Sequence, residues 1–219
     1  MVDINAVSVS RNEQSLMDGG IANHVLDTPV RKRPKPGERR IQILRTLSQM
    51  LEKPGADRIT TAALAAQIDV SEAALYRHFA SKAQMFESLI DFIETSVFEI
   101  IEDIAQKEPS GSLQAQQMVE AILSFGEKNP GMARVMGGDA LVFENERLLT
   151  RMNHLFDRVE TRIKASLMTD DGAPSESDAQ AQSSALCSFI LGRLHRYART
   201  NFQRLPTEHI DASLKLLMN

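Results

Sequence analysis

Helix-capping hydroxyls crowd the stretch from Ile59 to Lys82, and they dictate its shape. Thr60 or Thr61, then Ser71, then Ser81 each stand just ahead of a run with helical apolar spacing. Side chains of this kind accept hydrogen bonds from the unpaired amides that open a helix. The spacing predicts two short helices joined by the turn Asp69-Val70-Ser71, with a further helix beginning at Ser81. Leu64, Ala65 and Ile68 form the inward face of the first, and Val70 and Leu75 occupy the two ends of a hydrophobic staple around the Ser71 cap. The second helix, Ser71 to Phe79, turns Leu75 and Phe79 inward, four residues apart. That leaves Glu72, Ala73, Tyr76 and Arg77 outward and His78 at the edge. Two short helices at a steep angle are what a protein needs to lay one helix in the major groove of duplex DNA.

The flanking sequence is helical throughout. A helix over Glu38–Leu51 carries the stripe Ile41, Leu44, Leu47, Ser48 and Leu51, and Pro54-Gly55 ends it. The helix after Ser81 runs to about residue 106, with Met85-Phe86, Leu89-Ile90, Ile93, Val97, Ile100-Ile101 and Ile104 on one side. Pro109-Ser-Gly-Ser breaks it. A fifth helix over about 113–128 stops at Asn129-Pro130-Gly131, and a short element follows over 132–143. Long helices over about 145–168 and 178–204 flank a polar loop, and a last short one follows Pro206-Thr207. With no strand signal and no internal repeat, the fold class is all-α. Residues 1–36 have no period and end in the basic, proline-stiffened arm Arg31-Lys-Arg-Pro-Lys-Pro-Gly37, which reads as a disordered leader.

Charge separates the two halves. From Arg31 to Lys82 eleven Lys and Arg face five acids, so that the rest of this chain of net charge −4 carries −10. A basic front on an acidic body suits a polyanion at one end and a different partner at the other. No apolar run approaches the ~20 residues that span a bilayer. The N-terminus lacks a basic cap followed by an apolar stretch, and the single cysteine, Cys187, leaves no internal disulfide to form; a cytoplasmic address is expected.

Within the candidate recognition helix, small Ala73 lets the backbone approach base edges and offers a methyl to a thymine methyl. Tyr76 and His78 can donate to phosphates, Arg77 adds charge, and Ser71, Thr60 and Thr61 place hydroxyls at helix starts. Lys82 stands at the start of a helix, where free amides already favour an anion, so lysine and helix terminus together can clamp a phosphate.

These residues resemble a known family. Thr-Thr-Ala-x-Leu-Ala at 60–65, followed by Val-Ser-x-x-x-Leu-Tyr-x-His-Phe-x-x-Lys at 70–82, is similar to the helix-turn-helix of TetR-type regulators. The resemblance implies a three-helix DNA-binding domain over 37–83 and a larger helical domain over 84–219 that dimerises through its last two long helices. Asp69 stands where the family usually has glycine, and aspartate tolerates the left-handed backbone such a turn needs. Further stretches, Arg58-Ile-Thr-Thr-Ala, Phe125-Gly-Glu-Lys-Asn-Pro-Gly131, Ala140-Leu-Val-Phe-Glu-Asn-Glu-Arg-Leu148 and Pro206-Thr-Glu-His-Ile-Asp-Ala212, resemble one branch of that family, the SlmA-type nucleoid occlusion factors, over roughly 38–219. That branch binds palindromic chromosomal DNA and, on DNA, holds the C-terminal tail of the tubulin-like division protein FtsZ, blocking ring assembly over the nucleoid. By the resemblance the tail lies between the fourth and fifth helices, at Phe92, Ala121, Ser124, Lys128 and Asn129. Ile100 stands where the branch has arginine, and Ser124 where it has glycine.

No catalytic constellation and no cofactor motif is present. His154 and His195 lie on different helices without metal-ligand spacing. Gly137-Gly138 marks a turn, since no Lys-Ser/Thr follows it. Asp170-Asp171 reads as a solvated loop pair, Cys187 as a small core residue, and Arg193, Arg196, Arg199 and Arg204 as a wet helix face. Two other readings stay open: a ligand-released repressor, which needs an enclosed apolar pocket, and a helical interaction protein without DNA, which the charge split disfavours.

Overall fold

Side-chain caps open most helices of this chain, whose computed structural model describes residues 37–53, 58–142 and 144–218. The leader over 1–36 and the Pro54-Gly55 stop signal fall outside the described residues. In order the α-helices are α1 (Glu38–Leu51), α2 (Thr61–Gln67), α3 (Glu72–Tyr76), α4 (Lys82–Lys107), α5 (Gly111–Lys128), α6 (Pro130–Met136), α7 (Glu146–Leu167), α8 (Glu176–Arg199) and α9 (Ile210–Leu217), with a 3-10 turn at Asp139–Leu141. No strand occurs among the described residues, and the all-α expectation holds.

The anticipated caps form. Thr60 accepts from the Ala63 amide, Ser71 from Ala74 and Ser81 from Gln84. Asp69 adopts the left-handed conformation the turn requires, at φ 54°. Four details differ from the sequence reading. Helix α8 ends at Arg199 rather than near 204, where Asn201 and Phe202 turn left-handed, so Arg204 lies beyond it. The buried stripe of α1 is Ile43, Leu47 and Leu51, while Ile41 is 53% exposed. Residues two apart on a helix lie on nearly opposite sides, so Ile43 and Ile41 cannot share the core face, and the four-residue steps 43–47–51 match the neighbours on α4 and α6. Helix α3 ends at Tyr76 rather than Phe79: the His78 amide closes onto the Leu75 carbonyl at 2.9 Å, a tighter turn that brings the chain round to the Ser81 cap. Asp170 is no idle loop acid. Its carboxylate accepts from the amides of Gly111 (2.6 Å) and Ser112 (2.8 Å) and from the Ser110 hydroxyl (3.3 Å), capping α5. Those amides hold its carboxyl below the usual range, and α5 accordingly begins at Gly111, two residues before the expected start.

One hydrophobic cluster runs from Ile43 of α1 to Leu214 of α9. Helix α4 starts beside the α1–α3 unit and continues into the body, so the two parts share a core rather than a linker. Along its outer side an arginine ladder ties it to α7: Arg147 to Glu87, Arg151 to Asp91 and Glu94, Arg158 to Glu94, and Arg162 to Glu102. Arg158 also stacks over the Phe98 ring at 4.0 Å. Such half-exposed pairs contribute only ~0.5 kcal/mol each and mainly fix register.

Asn129-Pro130-Gly131 ends α5 as expected and also opens α6. Pro130 takes the first helical position, where its missing N–H is no loss. Gly131 presses on α1 so closely that an added Cβ would lie 2.2 Å from the Ser48 carbonyl oxygen. Gly131→Ala should therefore lower stability by about 1–3 kcal/mol, measured by urea unfolding. An unchanged midpoint would mean that α6 does not seat against α1 as described.

Candidate nucleic-acid interface and partner groove

The α2–turn–α3 segment exposes most of the residues expected to meet DNA. Leu75 and Phe79 are buried, while Ala73, Tyr76 and Arg77 are exposed, Tyr76 by 47%. His78 is half-buried, and its carbonyl accepts a hydrogen bond from Arg40, whose guanidinium also lies 4.0 Å over the Phe79 ring. Helix α1 thus grips the C-terminal end of α3. The cap hydroxyls of Thr60 and Ser71 act as acceptors toward Ala63 and Ala74, which leaves each O–H proton available to an outside acceptor. Thr61 differs, because its hydroxyl donates to a Glu72 carboxylate oxygen at 2.6 Å, linking the starts of α2 and α3.

Lys82 is engaged from within. Its ammonium pairs with Glu144, in the segment before α7, and lies 5.6 Å from the centre of the Phe86 ring. Glu144 is the less accessible partner, its side chain 9% exposed against 24% for Lys82. A phosphate at the start of α4 has to compete with that carboxylate. Nothing in the residues 60–82 announces this, since the partner lies 62 positions away.

Between α4 and α5 lies a groove of about 580 Å³. Four of the five expected partner residues, Ala121, Ser124, Lys128 and Asn129, line it. Phe92 does not line it; its ring packs 6.5 Å from Phe125 at one end of the groove. Asn129 is buried, and its amide donates to the Phe125 carbonyl at 2.9 Å, so it finishes α5 as well as bounding the groove. Residues not singled out beforehand, including Glu99, Asp103 and Lys107, complete the walls, with Ile100, Ile104 and Phe125 as apolar floor. The steps of three and four residues from Ser96 to Lys107 carried the signal. Lys107 is paired with Asp103 at 2.6 Å, whereas Lys128 is exposed at the other helix. An apolar floor with exposed charge at its rim suits an extended or helical peptide segment.

The remaining candidates are structural. Cys187 is 4% exposed, directs its thiol at the Phe156 carbonyl, and burial pushes it up to about 12. His195 faces Asp139 at 3.5 Å, and Gly138 takes a left-handed φ of 85° where α6 ends. Arg193 donates to Ser213, and Arg204 lies 3.8 Å from Glu208, while Arg196 and Arg199 are exposed. Among the described residues no group of three or more His, Cys, Asp or Glu is placed to hold a metal ion, and no helix is long and apolar enough to cross a membrane.

Known proteins resemble both halves of the chain. Residues 43–89 match the family model of bacterial regulatory proteins of the tetR family, and residues 112–219 match the SlmA-like model described as tetracyclin repressor-like, C-terminal domain. The nucleoid occlusion factor SlmA of Photobacterium profundum is 46% identical over 187 residues, which cover 84% of this chain and 95% of that protein. SlmA of Vibrio cholerae is 44% identical over 183 residues, 82% of this chain and 93% of the relative. Among solved structures, the TetR family regulator PfmR of Thermus thermophilus superposes with a TM-score of 0.67 at 20% identity, covering 81% of this chain and 97% of PfmR. A TetR-like regulator from Rhodococcus superposes at 0.65 and 19%, covering 85% and 94%. At such identities these two similarities speak for the fold alone.

Proposed function

We propose that this chain, which belongs to the SlmA family of TetR-type helix-turn-helix proteins, is a nucleoid occlusion factor: a homodimer that binds palindromic duplex DNA and, when bound, inhibits FtsZ ring assembly over the chromosome. The observation that carries the reading is that the likeness to SlmA spans 95% of a relative's length and both halves of this chain, not the helix-turn-helix alone. It acts without catalysis, in the cytoplasm at the nucleoid.

On duplex DNA the two copies of α3 enter successive major grooves ~34 Å apart. Ala73 and Tyr76 meet base edges and the adjoining backbone. Thr60, Ser71, Arg77 and His78 donate to phosphates, and Lys82 exchanges Glu144 for a phosphate. Thr61 joins them if it gives up Glu72. The α4–α5 groove takes the FtsZ tail, with apolar side chains on Ile100, Ile104 and Phe125, acidic ones near Lys128, and Phe92 supporting the floor through Phe125. A repressor released by a small ligand is less well supported, because the rim of this groove is exposed and charged at Glu99, Asp103 and Lys128.

Dimerisation falls to α7 and α8. Along α8 the exposed residues Ala181, Ala185, Ser188 and Gly192 repeat at steps of four, three and four, and small side chains in such a row let two helices approach closely. At Gly192 an added Cβ meets nothing within 4 Å, so the folded protomer has room for a larger side chain.

Two outcomes check this reading. In gel shifts across a panel of duplexes, Lys82→Ala should weaken binding to all sequences alike and make the salt dependence shallower by about one counterion. Tyr76→Ala should in addition narrow the gap between the preferred palindrome and scrambled DNA; neither change occurring would remove α3 and the start of α4 from the interface. Separately, Gly192→Glu should keep full helicity, with local helix stability raised by about 0.5–1 kcal/mol, while shifting the species seen by sedimentation from dimer to monomer. A persisting dimer would place the seam elsewhere.

A further inference from the structure

Arg134 of α6 is 4% exposed, and among the described residues no carboxylate lies within ion-pair distance of it. Its two terminal nitrogens divide between elements far apart in sequence: Nη1 donates to the Lys53 carbonyl, just past the end of α1, at 2.9 Å, and Nη2 reaches the Ala198 carbonyl in the last turn of α8 at 3.4 Å. Both are carbonyl ends of helices, where a buried cation gains from the helix dipole. The central carbon of the guanidinium lies over the Phe202 ring, 4.9 Å from its centre.

Phe202 is held in an unusual state. It and Asn201 take left-handed backbones, at φ 64° and 48°, which a bulky L-residue adopts only when its surroundings impose it. Those surroundings are Arg134 on one side and Tyr197, edge-on at 5.0 Å, on the other. The strained turn after α8 is thus shaped to close over the arginine.

The other end of α1 completes a mechanical path. Arg40 binds the His78 carbonyl and covers Phe79, so a rod of roughly 20 Å runs from the end of α3 to Arg134 and from there to α8. We infer that Arg134 is a positioning residue that fixes the angle of the DNA-reading unit against α8, and with it the half-site separation that the dimer accepts. The inference rests on the proposed dimeric reading of palindromic duplex DNA. It requires no contact between Arg134 and DNA. An arginine suits the role because one rigid fork must satisfy two carbonyls and a ring face at once; a lysine reaches only one of them.

The test is binding to palindromes whose half-sites are separated by the preferred spacer or by one or two base pairs more or fewer. The wild-type chain should favour one spacing by roughly tenfold or more, since each added pair turns one half-site around the duplex axis. Arg134→Met should flatten that profile to about twofold while leaving affinity for a single half-site within about twofold of wild type. Arg134→Lys, the milder change, should flatten it partway, and it serves if the methionine variant does not fold. A purely structural role would lower the melting temperature and leave the profile's shape intact, which would overturn the inference. A wild-type chain indifferent to spacing, or without affinity for duplex DNA, would overturn the proposed function along with it, so the two failures are told apart. A measurement free of DNA is the distance between spin labels placed by Gln67→Cys on the two protomers, the buried Cys187 staying silent. The distribution should be narrow in the wild type and broad in both Arg134 variants, and equal widths would count against Arg134.

Discussion

The seat of Gly131 against the Ser48 carbonyl is the constraint on which the rest of the molecule depends. It lets α6 sit flush on α1, which neither a side chain nor a longer loop would permit. From that seat α6 reaches α8 through Arg134, while α5 leads into it through the buried Asn129. The unit that carries α3, the helix with the small-residue row and the groove between α4 and α5 therefore meet at one short helix. Because the hydrophobic core is continuous through this junction, a change in the tilt of α1 cannot be absorbed by a hinge and must be passed on or resisted.

This arrangement would let one chain serve the two proposed partners. The surface proposed to meet the duplex has local cohesion: caps, a staple and a tight turn. The groove proposed for the peptide lies between α4 and α5, and the arginine ladder ties the first of these to α7 on its outer side. Lys82 stands where the two regions touch, held by a carboxylate that belongs to the segment before α7. Under the proposed reading, a phosphate taken up there would free Glu144 and so alter charge on the body side of the junction.

What could be read from the sequence and what could not divides along the distance between interacting residues. The caps at Thr60, Ser71 and Ser81 act over three residues, and the left-handed Asp69 over fewer, so their signals are contained in short windows and were legible in full. The inward pair Leu75 and Phe79 is buried as helical spacing suggested, although Phe79 lies past the end of α3. The α1 stripe was half legible, because Ile41 and Ile43 satisfy helical periodicity equally and only the neighbouring helices choose between them. Asp170 reading as a solvated acid, Lys82 reading as a free cation, and Arg134 going unnoticed share one cause. Their partners lie tens of residues away, and no local pattern marks a carbonyl or carboxylate that the fold brings back. In the groove, the positions on α5 were placed by resemblance, whereas the acidic rim of α4 emerged only once the two helices were set side by side.

The central claim is that this chain restrains FtsZ and does so as a DNA-bound dimer. Its most direct test is sedimentation of GTP-assembled FtsZ polymers with the chain present, in parallel with and without a short palindromic duplex that it binds. The account predicts that the duplex markedly lowers the pelleted fraction of FtsZ, with little effect of the chain alone. Equal pelleting in all conditions, at concentrations where the duplex is fully bound, would contradict it.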